Sequence, residues 1–252
     1  MLPPEVRTLA ASFREGAVSA LGANLWSLFL LGSVAFPDFH PWLVDIDFHA
    51  VTSRELTDEE NDALEALHLR LAGEHDLGSR LDGYYMLLAE IGADPPETLV
   101  GAAHGTLKRR GVRRDRGGWT LERAHVHAGR FVLLHGRDPR DVYPPPEPPE
   151  LEDALVEELG ELAPALDRYP AYAALNLCRL AFSFETGNVV VSKAAAGEWA
   201  GRGGLPRRWQ PTVAAALLEY RGSADAAALE RVRAGVHELY RFVAAQYSTR
   251  AR

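Results

Sequence analysis

Pro144-Pro145-Pro146-Glu147-Pro148-Pro149 places five prolines in six residues. No helix interior or central strand accommodates such a run, because each ring fixes φ, removes an amide donor and clashes with the turn before it. The stretch favours extended polyproline backbone, so residues 144–150 are read as a linker. It separates an N-terminal domain, 1–143, from a C-terminal domain, 151–252. After it, apolar residues recur at three- and four-residue spacing with short connections. This predicts helices over 151–166, 171–185, 192–200, 211–220 and 224–247, packed as an antiparallel bundle.

Before the linker the patterns are mixed. Pro3-Pro4 precede Val6, Leu9, Ala10, Phe13, Ala17 and Leu21, the apolar stripe of an amphipathic helix. Strands are predicted over 26–31, 44–51 and 81–91. Thr57-Asp58-Glu59-Glu60 has the form of a capping box ahead of a helix that carries Leu64, Leu67 and Leu71 on one face. Residues 94–118 are polar and glycine-bearing and read as loop. Residues 122–134 read as helix, on which His125 and His127 diverge; neither has zinc-site spacing, and both read as packing or surface residues. The class is α+β.

The stretch from Gly32 to Phe48 carries the chemistry. An apolar run ends in Gly32-Ser33, and Asp45-Ile46-Asp47 opens the next. On a strand, Asp45 and Asp47 share one side while Ile46 faces the core. Two convergent carboxylates beside a small-residue turn are what a magnesium–triphosphate complex needs: oxygen ligands for a hard cation, and amides with the Ser33 hydroxyl for phosphate. The same residues also fit an ordinary turn and a strand with two solvated aspartates. Asp82 opens the third strand as Leu-Asp-Gly, a common turn sequence. Lys108, Arg109, Arg110, Arg113, Arg114 and Arg116 form a basic run that reads as solvated surface, with phosphate or partner contact as the alternative.

Bulk properties narrow the field. A net charge of -8 over 252 residues argues against a general nucleic-acid binder and suits a cationic ligand. The one cysteine, Cys178, excludes an internal disulfide and a multi-cysteine zinc site. The longest apolar run, 25–31, is too short to span a bilayer. The expectation is a soluble cytoplasmic monomer that binds neither nucleic acid nor membrane.

The Gly-Ser…Asp-x-Asp arrangement resembles the signature of the nucleotidyltransferase superfamily related to DNA polymerase β. A second resemblance lies in the helical half. There an arginine-bearing helix (Arg179) ends in Thr186-Gly187. Ser192-Lys193 then leads to Trp199-Ala200, followed by Leu205-Pro206, Trp209-Gln210-Pro211 and Tyr220. This order is similar to the C-terminal domain of the aminoglycoside adenylyltransferases that modify streptomycin and spectinomycin. His135-Gly136-Arg137-Asp138-Pro139 resembles that family's short strand and turn before its linker.

The resemblance implies a polymerase-β-like nucleotidyltransferase domain with a small mixed sheet, followed by a helical domain. It implies transfer of AMP from ATP to a hydroxyl of an aminoglycoside-like, cationic small molecule, with Mg2+ as cofactor and pyrophosphate as product. Asp45 and Asp47 would hold the metal, and Gly32, Ser33 and Lys193 would contact phosphates; by itself Lys193 reads as a solvated helix lysine. Asp82 stands where the family has a glutamate base. It is one methylene shorter, by roughly 1.5 Å, and serves as base or as third metal ligand. Trp119 is a candidate for stacking on substrate. Tyr169 replaces the aspartate that recognises streptomycin. Phe36-Pro37 stands where the family has another glycine, and Val44 where it has a serine. These departures motivate two alternatives: a nucleotide- or ligand-binding homologue impaired in catalysis, and nucleotidylation of a protein partner.

Overall fold

The computed structural model describes residues 2–40, 45–111 and 115–247, without the side chains of 110 and 111. The chain divides into two compact units, Met1–Pro145 and Pro146–Arg252.

In the first unit, helix α1 (Pro4–Leu21) buries Val6, Leu9, Ala10, Phe13, Ala17 and Leu21, the full stripe expected of it. Strand β1 (Leu25–Leu31) follows, then β2 (Ile46–Thr52). Asp45 lies just outside β2, and Val44 lies outside the described residues. Helix α2 (Asp58–Glu74) starts at a complete Thr57–Glu60 capping box and buries Leu64, Leu67 and Leu71. It crosses over to β3 (Leu81–Leu87), which lies parallel to β2. β3 ends three residues before a short 3-10 turn is complete at Glu90, rather than continuing to Ile91.

Two expectations are corrected here. Residues read as loop form a hairpin, β4 (Leu99–Ala103) and β5 (Thr106–Gly111). Its turn residues, His104 and Gly105, both have positive φ (52° and 75°), the two-residue connection that matches strand twist. The helix expected over 122–134 is α3 (Arg116–His127), capped by Asp115. Gly129 at φ 70° ends the turn after it, and β6 (Val132–Gly136) follows. The sheet order is β5-β4-β3-β2-β1-β6, antiparallel except at β2/β3.

Alternation along the strands builds two cores. Leu28, Leu30, Ile46, Phe48, Ala50, Leu81 and Tyr85 pack with α1 and α2. Phe29, Leu31, Val51 and Met86 pack on the other face with Trp119, Val126 and Tyr143.

The second unit is helical throughout. Helix α4 (Pro148–Glu161) begins inside the stretch read as linker, since its two prolines occupy the first turn, where no amide partner is lost. Pro164 separates it from the short α5 (Ala165–Arg168), so 151–166 is not one helix. Next come α6 (Pro170–Thr186), closed by left-handed Gly187, and α7 (Lys193–Trp199), capped by Ser192. A single wide turn (Ala200–Gly204) leads towards α8 (Gln210–Tyr220), and α9 (Ala226–Tyr247) ends the unit. No described helix is long and apolar enough to cross a membrane.

Candidate active site

One end of the sheet gathers the residues picked out by sequence. Asp47 is the register partner of Leu31 on β1 and of Asp82 on β3. Strand alternation sends Asp47 and Asp82 to the face opposite Ile46, Phe48 and Leu81, so the two carboxylates stand side by side on neighbouring strands. Parallel neighbours lie about 4.8 Å apart, which is within reach of a shared cation.

Gly32 closes β1 and turns with φ 68°. A Cβ at this position would collide with the Asp47 carboxylate. The backbone conformation favours glycine here, and an added methyl would push the Asp47 carboxylate aside. The Ser33 hydroxyl lies 3.5 Å from the Asp45 carbonyl oxygen, which holds Asp45 next to the same turn.

Electrostatics ties the third carboxylate into the group. Burial, then the negative charge of Asp45, hold the Asp82 carboxyl above the ordinary carboxylate range, and His104 opposes the shift. Asp45, outside the strand and exposed, is thus close enough to Asp82 to repel it. His104 was not singled out by sequence. The hairpin register (Gly83 opposite Ala102) carries its turn to the Asp82 end of the sheet, and a lone histidine in a polar stretch gives no local signal of that.

Among the described residues, no three histidine, cysteine, aspartate or glutamate side chains are gathered closely enough to enclose a metal ion. The donor set nevertheless suits Mg2+. That ion takes hard oxygen ligands and is held through one or two carboxylates plus phosphate oxygens and water, not by an all-protein cage. Asp45 and Asp47 meet that requirement, and the repulsion between Asp45 and Asp82 is of the kind a cation relieves.

Trp119 is fully enclosed; its indole packs on Tyr143 at 5.2 Å between centroids, and Nε1 donates to the Gly92 carbonyl at 3.0 Å. It is a core residue of the first unit, and the expectation of a stacking platform is corrected. In the basic run, Arg109 is held by Asp62 and Glu65 of α2, and Arg116 pairs with Asp94 at 2.9 Å. Arg113 and Arg114 lie outside the described residues. The His127 ring meets the Tyr143 carbonyl at 2.6 Å, and His125 packs edge-on against Phe36, so both are packing residues.

In the second unit, Lys193 opens α7 with Nζ 4.6 Å from the centre of the Tyr172 ring. Arg179, on α6, also lies within electrostatic range of Tyr172, as well as of Glu158 and Tyr220, and burial lowers its pKa. One guanidinium nitrogen donates to Asn176 Oδ1 at 3.1 Å, while the buried Nε–H has no partner among the described residues. Lys193 and Arg179 therefore flank one tyrosine. Tyr169 stands exposed at the junction of α5 and α6, with the Arg168 guanidinium 5.1 Å from its ring centre.

Residues 142–246 match the family model for the aminoglycoside adenylyltransferase C-terminal domain. The match covers the helical unit, which is similar to that domain. The fold agrees across both units. A crystal structure of the spectinomycin adenyltransferase AAD(9) from Enterococcus faecialis, with ATP and spectinomycin, superposes with a TM-score of 0.73 at 17% identity, over 94% of this chain and 98% of that one. No curated protein matches the chain in a sequence comparison. The chain thus shares the fold of that enzyme with a sequence far from it.

Proposed function

We propose that the protein transfers AMP from ATP to a hydroxyl of an aminoglycoside-like molecule and releases pyrophosphate. The observation that carries this reading is the register of Asp47 against Asp82 at the sheet end closed by Gly32. The C-terminal domain match and a fold shared with an enzyme solved with ATP and spectinomycin support it.

Asp45 and Asp47 are the residues that would hold Mg2+. When bound, that ion supplies charge neutralisation on the triphosphate. The amides of the Gly32-Ser33 turn and the Ser33 hydroxyl orient phosphate oxygens. The acceptor hydroxyl attacks the α-phosphorus in line, its oxygen forms the new P–O bond, and the bond to the β-phosphate oxygen breaks. The hydroxyl proton passes to Asp82, directly or through one water, and pyrophosphate leaves with the electron pair. Burial of Asp82 raises its proton affinity, which suits an acceptor at neutral pH. Most of the rate enhancement then comes from positioning and charge, since no covalent enzyme intermediate is needed.

Tyr169 shapes the acceptor preference. A carboxylate at this position would bind a guanidinium; a tyrosine offers an aromatic face and a hydroxyl. Spectinomycin-like acceptors without guanidinium groups fit this better than streptomycin. Pyrophosphate release with MgATP and a panel of spectinomycin, streptomycin and other amino sugars tests the reading. Release that depends on a small-molecule acceptor supports it. Silence with every small molecule, with label transferred to a protein, would assign the chain to protein nucleotidylation.

A further inference from the structure

His49 is a polar side chain in a place built for an apolar one. It follows Asp47 by two residues on β2 and so shares its face of the sheet, where the neighbours are Phe29, Val51, Met86 and Trp119. Its ring is 2% exposed. An imidazole costs free energy there unless its nitrogens are satisfied, and both are engaged. Nδ1 lies 3.1 Å from the Tyr143 hydroxyl, and Nε2 lies 3.4 Å from a carboxylate oxygen of Glu122 on α3. A carboxylate only accepts, so Nε2 carries the proton. Nδ1 is left to pair with the tyrosine hydroxyl.

The far end of this chain of contacts is equally specific. Tyr143 is 1% exposed, and its carbonyl accepts from His127 at 2.6 Å. The next carbonyl, that of Pro144, accepts from Arg123 at 3.2 Å. Tyr143 and Pro144 directly precede Pro145, the last residue of the first unit. Helix α3 thus holds the backbone of the segment that leaves this unit, while His49 holds the same segment's side chain to the strand bearing Asp47.

We propose that His49 is a positioning residue for the reaction. Through Tyr143 and Glu122 it locks β2, and with it Asp47, to α3 and to the exit segment of the first unit. An apolar residue of similar size would fill the space without fixing a register between these three elements; an imidazole hydrogen-bonded at Nδ1 and facing a carboxylate at Nε2 ties them in one geometry. The inference rests on the nucleotidyl-transfer reading for its kinetic consequence, but not for its mechanical one.

Two measurements on Tyr143→Phe and His49→Leu test it. The first variant removes one buried hydroxyl at nearly constant volume, so the fold is retained. In the absence of any ligand, amide hydrogen exchange is expected to quicken in Tyr143→Phe both at positions 142 and 143 and at residues 46–48, while the α1 side of the sheet is unchanged. Unchanged exchange at 46–48 would overturn the proposal whatever the wild-type activity. In turnover, His49→Leu is expected to lose roughly ten- to a hundredfold in kcat with KM for ATP nearly preserved, because misplacement and not binding is the defect. His49→Gln, which can still donate to Glu122, is expected to recover part of the loss. An active wild type with unaltered kcat in His49→Leu would also overturn it. A wild type silent in turnover would count against the proposed function alone, with the exchange result still deciding this inference.

Discussion

Asp47 and Asp82 are register partners on adjacent parallel strands, joined in sequence only by the crossover through α2. Parallel pairing requires such a long crossover, so the two carboxylates meet only when the whole β2–α2–β3 unit is in place. The consequence is a division of labour within one cluster. Asp47 faces the Gly32 turn, while Asp82 is partly buried and repelled by Asp45.

Asp82→Asn should therefore reduce kcat by about a hundredfold or more, the usual loss of a general base, with little change in KM for ATP. In the wild type, kcat should fall as pH drops and Asp82 takes up a proton. The limb lies above the ordinary aspartate range, because burial and Asp45 raise this pKa. A pH–rate profile of wild type against Asp82→Glu checks it; the glutamate should keep the limb, and a profile without one would remove Asp82 as base.

Gly32→Ala should damage both stability and activity. The left-handed backbone alone costs a non-glycine residue roughly 1–2 kcal/mol, and the new methyl meets the Asp47 carboxylate. Thermal melting with and without MgATP is the check: a lower Tm and a diminished nucleotide-induced shift are expected. Gly129→Ala, at a positive φ but with open space around it, should show the backbone cost without the loss of nucleotide response.

Much of this fold is legible in the residues, and the exceptions are instructive. The stripes of α1 and α2 and the Thr57 capping box are local signals, and local signals survive into the structure. The β4–β5 hairpin is not, because Gly101, Ala102 and Ala103 lack the bulky branched side chains by which strands announce themselves. Its one clue is His104-Gly105, a turn pair of the right length. Trp119 misleads for the opposite reason. A large aromatic near a candidate site suggests stacking, but only the packing of α3 against β1 reveals it as core. His104 becomes interesting only through a neighbour distant in sequence, Asp82.

Acceptor choice should follow Tyr169. The wild type is expected to adenylylate spectinomycin in preference to streptomycin, and Tyr169→Asp should raise kcat/KM for streptomycin by roughly tenfold, about the worth of one new charge-assisted contact. Parallel kinetics with the two drugs measures this. Equal use of both by the wild type would detach Tyr169 from acceptor recognition.

Acid stability should depend on His68. Its Nε2 meets the Tyr85 hydroxyl at 2.9 Å in the core, and burial lowers its pKa from 6.5 to about 4. Between those values the unfolded chain binds a proton that the folded chain refuses, so stability rises with pH across the window. It is lost on acidification at up to about 1.4 kcal/mol per pH unit. Above pH 6.5 the group contributes no slope. Denaturant unfolding of wild type and His68→Gln between pH 4 and 7 should show a slope in the first that is reduced in the second; parallel curves would contradict the assignment.

The most direct test of nucleotidyl transfer at this sheet end compares wild type with Asp47→Asn in AMP transfer to spectinomycin, followed by pyrophosphate release and by the mass of the modified drug. The wild type should release pyrophosphate in step with adenylylated spectinomycin, and Asp47→Asn should do so at least a hundredfold more slowly while melting within a few degrees of it. Equal rates from the two proteins would contradict the account.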